Sequence, residues 1–394
     1  MEARIERVEV RVFRTLVSTE KLPGGHLHPC APRPVEAALL AVRDVDGVEG
    51  YCLCGTGSWS QGATGALRES VKRTYLDPVL VGEDAFLRER IWKRLAALQR
   101  SSKGALTDQA LSYVDQALWD LAGRKCDLPV WKLLGGARAS VPAYASTMCG
   151  DDPPGGLGDP SAYARFARQL VEMGYRAIKL HTWMPAERDE VDLARDIAAC
   201  AAVREAVGPG MVLMLDAYHY CRRSEALALG RAIEALDYTW FEEPMEEASI
   251  ASYRWLSAEL DIAVLGPESA PGKVHTRGEW IAARACDLLR VGVNDVGGIT
   301  PARKIAHLAE AFGLGVEVHG GGSGNLALLG GTGVGHYYER GMLHPEVDYD
   351  AAEPHLGSIV DPLQPNGEVP LPERPGLGDD LRLDYIAEHH ITSW

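Results

Sequence analysis

Asp216, Glu242 and Glu268 recur at equal intervals, each about the length of one strand-helix unit, and each closes a short apolar run. Carboxylates brought together in a partly dry place repel one another and raise one another's pKa values unless a cation holds them. An all-oxygen donor set suits Mg²⁺. Any one of the three alone would read as a solvated or helix-capping carboxylate, and the shared spacing is what sets the trio apart. Glu243 follows Glu242 directly. Successive strand residues face opposite sides, so only one of the pair is expected to reach an ion, and equal spacing selects Glu242. Pro244 ends that run.

Basic groups close other apolar runs: Lys179 and His181 stand two residues apart, on one side of a strand, and His319 and Glu339 close two later runs. A base beside a metal site is equipment for moving a proton. A positioned base contributes about 10²–10⁴-fold, whereas enzymes reach roughly 10⁶–10¹⁷-fold. Stabilising the charge left as the proton moves must supply the larger share, and a divalent cation does that directly. Tyr218 and His219, just after Asp216, are candidates for touching a substrate hydroxyl, with a packed aromatic as the plain reading. His26 and His28 lie in a glycine- and proline-rich stretch and read by default as solvated loop histidines.

Runs at 141–146, 177–181, 212–216, 239–242, 263–268, 288–292, 314–319 and 335–339 read as eight strands, separated by amphipathic helical segments such as the one opened by Asp159-Pro160 and the one opened by Thr300-Pro301. Eight such units fit a closed barrel, whose C-terminal strand ends converge on one mouth. A doubly wound open sheet is the competitor, but the glycine-rich turn it would carry after its first strand is absent. The first 140 residues do not alternate in this way. Strand-like 4–14 and 35–45 precede helical 84–100 and 105–123, an α+β order, and 21–34 and 55–65 read as loops. The expected division is a domain over 1–140, a barrel over 141–362 and a C-terminal segment over 363–394.

At 394 residues, with 46% hydrophobic content, the chain can bury a large core. A formal charge of −15 and the lack of a long Lys/Arg run argue against nucleic acid. No run suits a membrane helix and the N-terminus lacks the apolar core of a signal peptide, so the cytoplasm is the expected location. Eight scattered cysteines read as reduced structural thiols.

The run Phe241-Glu242-Glu243-Pro244 with the spaced Asp216 and Glu268, the Lys179-Leu180-His181 motif, the Gly297-Gly298-Ile299-Thr300 turn and His319 together resemble the mandelate racemase branch of the enolase superfamily, over nearly the whole chain. The resemblance implies an α/β fold: a modified (β/α)₇β TIM barrel under an N-terminal α+β capping domain, with the C-terminal tail returning to the cap. It implies Mg²⁺ on Asp216, Glu242 and Glu268, the ion in turn holding a substrate carboxylate. Lys179 and His181 match a variant of the family's K-x-K motif, His319 the histidine on the other side of the site, and Glu339 a glutamate that hydrogen-bonds the substrate carboxylate. The cap loops with His26 and His28 are where this family selects substrate. One departure stands out. The family's racemases pair the histidine with an aspartate five residues before the Gly-Gly turn, where this chain has Gly292, and Asp295 falls three residues later in an expected loop. Lacking a carboxylate partner, His319 is expected to be a poorer base. The same stretch resembles mannonate dehydratase relatives. The expected activity is Mg²⁺-dependent dehydration of a sugar acid (aldonate or aldarate) to a 2-keto-3-deoxy acid, with His181 or Lys179 taking the α proton and His319 protonating the leaving hydroxyl. A racemase or epimerase, or a silent ligand-binding homologue, is the alternative. The expected partners are a small carboxylate substrate and further copies of the chain.

Overall fold

A computed structural model describes residues 2–21, 27–54, 67–151, 155–183 and 191–394. In the N-terminal part, β1 (Ile5–Lys21), β2 (Leu27–Asp44) and β3 (Glu49–Cys54) form an antiparallel sheet, and the C-terminal strand His390–Ser393 pairs with β1 at its edge. Alternation in β1 buries Val8, Val10 and Val12 while Arg7, Glu9 and Arg11 run between them along the other side. Two main helices cover the sheet, α1 (Arg88–Ser102) and α2 (Asp108–Cys126). The Thr107 hydroxyl accepts from Ala110 N at the start of α2. β3 lies hard against α2: a Cβ at Gly50 would sit 2.4 Å from the Ala117 carbonyl oxygen, so only glycine fits. Residues 27–34, expected in a loop, continue β2, and β3 was not expected from the sequence.

The larger part is a curled parallel sheet ringed by helices. Its strands are β4 (Ser140–Thr147), β5 (Ala177–His181), β6 (Val212–Asp216), β7 (Trp240–Glu242), β8 (Ala263–Gly266), β9 (Leu288–Val291), β10 (Gly315–Val318) and β11 (Tyr338–Leu343). The helices between them are α3 (Pro160–Glu172), α4 (Leu193–Val207), α5 (Arg223–Glu234), α6 (Ile250–Glu259), α7 (Lys273–Ala283), α8 (Ile299–Ala311) and α9 (Ser323–Thr332). The strands neighbour one another in the order β10-β9-β8-β7-β6-β5-β4-β11. Side chains cross the seam between β10 and β11: Glu317 accepts from the backbone N–H groups of His336 and Tyr337, and Glu339 accepts from Gly320 N.

Several strand limits differ from the sequence expectation by one residue and two strands differ by more, the last running on to Leu343 so that Glu339 lies near its start and not at its end. The last strand begins at Tyr338 rather than 335, because Gly333 and Gly335 take φ of +71° and +78°, outside the extended region. β8 stops at Gly266, since Pro267 brings no N–H to a ladder, and this leaves Glu268 on the loop beyond the strand end. Inside the sheet, Tyr144, Ala177, Met214, Trp240 and Leu265 form an apolar floor. Among the described residues no helix is long and apolar enough to cross a membrane.

Candidate active site

Alternation along β5 turns Ala177, Lys179 and His181 to the sheet interior, the first into the apolar floor and the other two above it. Lys179 is 1% exposed, with Glu242 Oε2 and Glu339 Oε1 each 3.0 Å from its Nζ and Asp216 Oδ2 at 3.3 Å. Burial opposes its charge, but these carboxylates outweigh burial and hold the ammonium form far above the ordinary range. A lysine so placed neutralises charge among these carboxylates.

His181 differs. Its Nδ1 lies 2.8 Å from the Thr147 carbonyl, to which only an N–H can usefully point, so Nε2 is the atom left to face Asp216 Oδ2 at 3.0 Å. The Thr147 hydroxyl accepts from His181 N and the Tyr163 hydroxyl donates to His181 O, which fixes the backbone beneath the ring. Burial would raise the Asp216 carboxyl, but His181 and Lys179 keep it well below the usual range, and its Oδ1 accepts from Tyr218 N at 2.9 Å.

On the far side of the cluster, His319 Nε2 lies 3.2 Å from Glu268 Oε1 and its Nδ1 lies 2.7 Å from Asp295 Oδ2. The expectation that His319 lacks a carboxylate is therefore corrected. After β9 the chain turns back on itself, with the N–H groups of Asp295 and Val296 both donating to the Gly292 carbonyl, and this brings the Asp295 carboxyl into the space above Gly292. A Cβ at Gly292 would lie 1.9 Å from Asp295 Oδ2. Glycine at 292 and aspartate at 295 thus supply together what one aspartate at 292 would have supplied. Burial pulls the imidazolium pKa down, but Glu268 and then Asp295 more than offset it and favour the charged ring. Gly292→Ala should push the Asp295 carboxyl off the ring and lower turnover by roughly tenfold or more with Mg²⁺ affinity unchanged. Steady-state kinetics beside a metal titration checks this, and unchanged turnover would show that the Asp295 contact does not matter.

Sequence reasoning missed Arg290 and undervalued Glu243. Arg290, wholly buried on β9, donates from Nη2 to Glu339 Oε2 at 2.7 Å and to the Tyr144 hydroxyl at 3.2 Å, and from Nη1 to the Val318 carbonyl. Its Nε lies 2.6 Å from Glu242 Oε1, although too poorly aligned for a hydrogen bond. Burial works against ionisation of Glu339, and Lys179 and Arg290 overcome it, so Glu339 is firmly ionised. The only sequence signal for Arg290 was a single charge inside the apolar run 288–291. At Glu243 the backbone turns to φ +28°, which breaks strand alternation, so Glu242 and Glu243 are both buried in the same cluster. The Glu243 carboxyl is driven well above its usual pKa by burial and then by Glu268 and Asp216, and its Oε2 has no hydrogen-bond partner.

Tyr218 and His219 both take left-handed φ, +50° and +56°, and their rings stack at 4.8 Å. His219 Nδ1 lies 4.0 Å from Glu243 Oε1, at the edge of the cluster. His28 lies half-buried on β2; Asp151, just past β4, is held below the usual carboxylate range, against burial, by His344 and the Leu157 N–H. His26 lies outside the described residues.

Lys179, His181, Asp216, Glu242, Glu268, His319 and Glu339 are thus brought together, with Arg290, Glu243 and Asp295 added. As the side chains stand, no three acidic, imidazole or thiol groups among the described residues enclose an ion, because Asp216 is turned to Lys179 and His181, Glu242 to Lys179 and Arg290, and Glu268 to His319. The donor chemistry nonetheless fits a hard divalent cation. Carboxyl groups outnumber the ammonium, guanidinium and imidazole groups around them. Burial raises the Glu268 carboxyl to about 8, with only part of that offset by His319 and Arg290, and burial with neighbouring carboxyls raises Glu243, so each would gain from a further positive charge.

Residues 162–385 match the family model described as enolase C-terminal domain-like, and residues 31–135 match that of the mandelate racemase / muconate lactonizing enzyme N-terminal domain. A crystal structure of D-glucarate dehydratase from Agrobacterium tumefaciens complexed with magnesium superposes with a TM-score of 0.95 at 50% identity, covering 100% of both chains. Arabinonate dehydratase of Saccharolobus solfataricus is 29% identical over 92% of this chain and 93% of its own. D-galactarolactone cycloisomerase of Agrobacterium fabrum is 31% identical over 87% of this chain and 90% of its own.

Proposed function

Since the chain belongs to the mandelate racemase and muconate lactonizing enzyme branch of the enolase superfamily, we propose that it dehydrates a sugar acid, an aldarate or aldonate, to the 2-keto-3-deoxy acid. The observation that carries the reading is that two differently supported imidazoles reach one carboxylate cluster from different strands, His181 on Asp216 and His319 on Glu268. The dehydratase relatives support the choice of reaction.

Asp216, Glu242 and Glu268 are the residues to hold Mg²⁺, which when bound supplies positive charge for the carboxylate oxygens of the substrate as the α proton leaves. His181 Nε2, which faces Asp216 Oδ2 at 3.0 Å, would be released to take that proton where Asp216 turns to the ion, its ring held by Thr147. Lys179 stays an ammonium and offsets charge beside the substrate carboxylate, while Arg290 keeps Glu242 and Glu339 in place. His319, protonated and backed by Asp295, hands its proton to the departing β-hydroxyl. Tyr218 and His219 would meet substrate hydroxyls, and the cap residues His26 and His28 would select among substrates. The His319–Asp295 pair also favours a second reading, because a supported imidazole can return a proton to the opposite face and yield an epimer.

Asp216→Asn and Glu268→Gln should each weaken Mg²⁺ binding by about tenfold or more, since each removes a charged oxygen from one small site. Glu242→Gln should do likewise and Glu243→Gln should not, which distinguishes the two neighbours. Isothermal titration with Mg²⁺ reads this, and unaltered affinity in the first three would remove the ion from this cluster. The reaction itself is tested by incubating the protein and Mg²⁺ with aldonic and aldaric acids, D-glucarate among them, and assaying 2-keto acid. A panel that gives epimers and no keto acid selects the second reading.

A further inference from the structure

We propose that the capping domain holds the acid of the barrel in working order: Ser112 and Gln116 of α2, with Asn325 of α9, are positioning residues that fix the Asp295 turn against His319. This rests on His319 being the acid of the proposed reaction. Asp295 stands on a turn and not on a strand, so ladder hydrogen bonds do not fix it, and other contacts must. The turn over 292–297 is held at both ends and in the middle. The Ser112 hydroxyl has the Val293 carbonyl at 3.1 Å and Asn294 Oδ1 at 3.0 Å as acceptors, and Gln116 Nε2 donates to the same Asn294 oxygen at 3.0 Å. The Trp92 indole of α1 donates to the Gly297 carbonyl at 2.7 Å. The Asn325 amide joins the two halves of the pair, with its oxygen accepting from Val293 N at 3.0 Å and its nitrogen donating to the His319 carbonyl at 2.8 Å.

Ser112, Gln116 and Asn325 are all buried. Gln116 also packs on the first turn of α9, where a Cβ at Gly324 would lie 2.3 Å from its Oε1. The polar groups of the joint therefore converge on the residues that carry Asp295 and His319. Losing one should shift a carboxylate that must stay within hydrogen-bond reach of an imidazole, while leaving His181, on the other side of the cluster, untouched.

The test uses full-length protein with Mg²⁺ present and histidine labelled with ¹⁵N. The low-field proton on His319 Nδ1 is assigned by its disappearance in Asp295→Asn, then followed in Gln116→Ala, in Ser112→Ala, which removes a single hydroxyl, and in Asn325→Ala. The signal should be lost or move upfield in each. Formation of 2-keto acid should fall about tenfold with KM kept within about twofold, while exchange of the α proton, the work of His181, should continue at its wild-type rate. An unchanged signal in all three variants overturns the proposal. Equal loss of exchange and product also overturns it, because a merely structural joint would give that. Should no sugar acid be dehydrated at all, the reading of function fails, and the Nδ1 signal alone still decides whether the cap positions Asp295.

Discussion

His181→Asn should lose α-proton exchange and 2-keto acid formation together, each by about 10²–10⁴-fold, the range set by removal of a general base. The expectation follows from what surrounds each nitrogen-bearing side chain. Lys179 has three carboxylate oxygens at 3.0–3.3 Å, so its N–H groups are already directed at acceptors other than substrate. His181 has its Nδ1 committed to the Thr147 carbonyl, and its Nε2, now on Asp216, is the atom that would take a proton and pass it on where Asp216 turns to the ion. Asparagine at 181 keeps a side-chain donor for Thr147 and removes the base, so the fold and Mg²⁺ affinity should persist. Deuterium exchange followed by NMR, beside a metal titration, reads both. Retained exchange in His181→Asn would move the base to another residue. Lys179→Ala should also be inactive but for a different reason: it strips the positive charge from between Asp216, Glu242 and Glu339, and so should disturb metal affinity as well.

His319→Asn should separate the two halves of the reaction. With His181 intact, the α proton is still removed and returned, so substrate held in D₂O with Mg²⁺ gains deuterium at the α carbon. Without an imidazolium to protonate it, the β-hydroxyl leaves as a far poorer group, and keto acid should fall by about 10²–10⁴-fold. The structure strengthens this prediction, because Glu268 and Asp295 supply carboxyl groups that favour the charged form of His319. A variant inert in exchange, set against a wild type that interconverts two epimers, would instead make His319 a base.

The equal spacing of Asp216, Glu242 and Glu268 was readable because successive strand-helix units repeat with little variation, and inward-facing strand ends follow from alternation alone. What the sequence hid depends on backbone that departs from those regularities. Glu243 joins the cluster only because φ at that residue is +28°, which two-residue alternation does not foresee. Asp295 reaches His319 only because Gly292 leaves space for its carboxyl and accepts two turn hydrogen bonds, a relation between two residues that neither announces singly. Arg290 looked like an ordinary strand charge, and its role appears only when β7, β9 and β11 are seen to surround it. Residues 27–34 read as a loop because of Pro29, Pro32 and Pro34, yet that part of β2 has β1 on one side and, among the described residues, no strand on the other, and an edge accepts proline.

The central claim is that α-proton removal leads to loss of the β-hydroxyl. It is met most directly by one NMR experiment: wild-type protein, Mg²⁺ and D-glucarate or another turned-over sugar acid in D₂O. The account predicts a 2-keto-3-deoxy acid with solvent deuterium on the carbon that lost its hydroxyl, and no product once the metal is chelated. Deuterium appearing only at the α carbon of recovered substrate and its epimer, with no keto acid at any time, would contradict it.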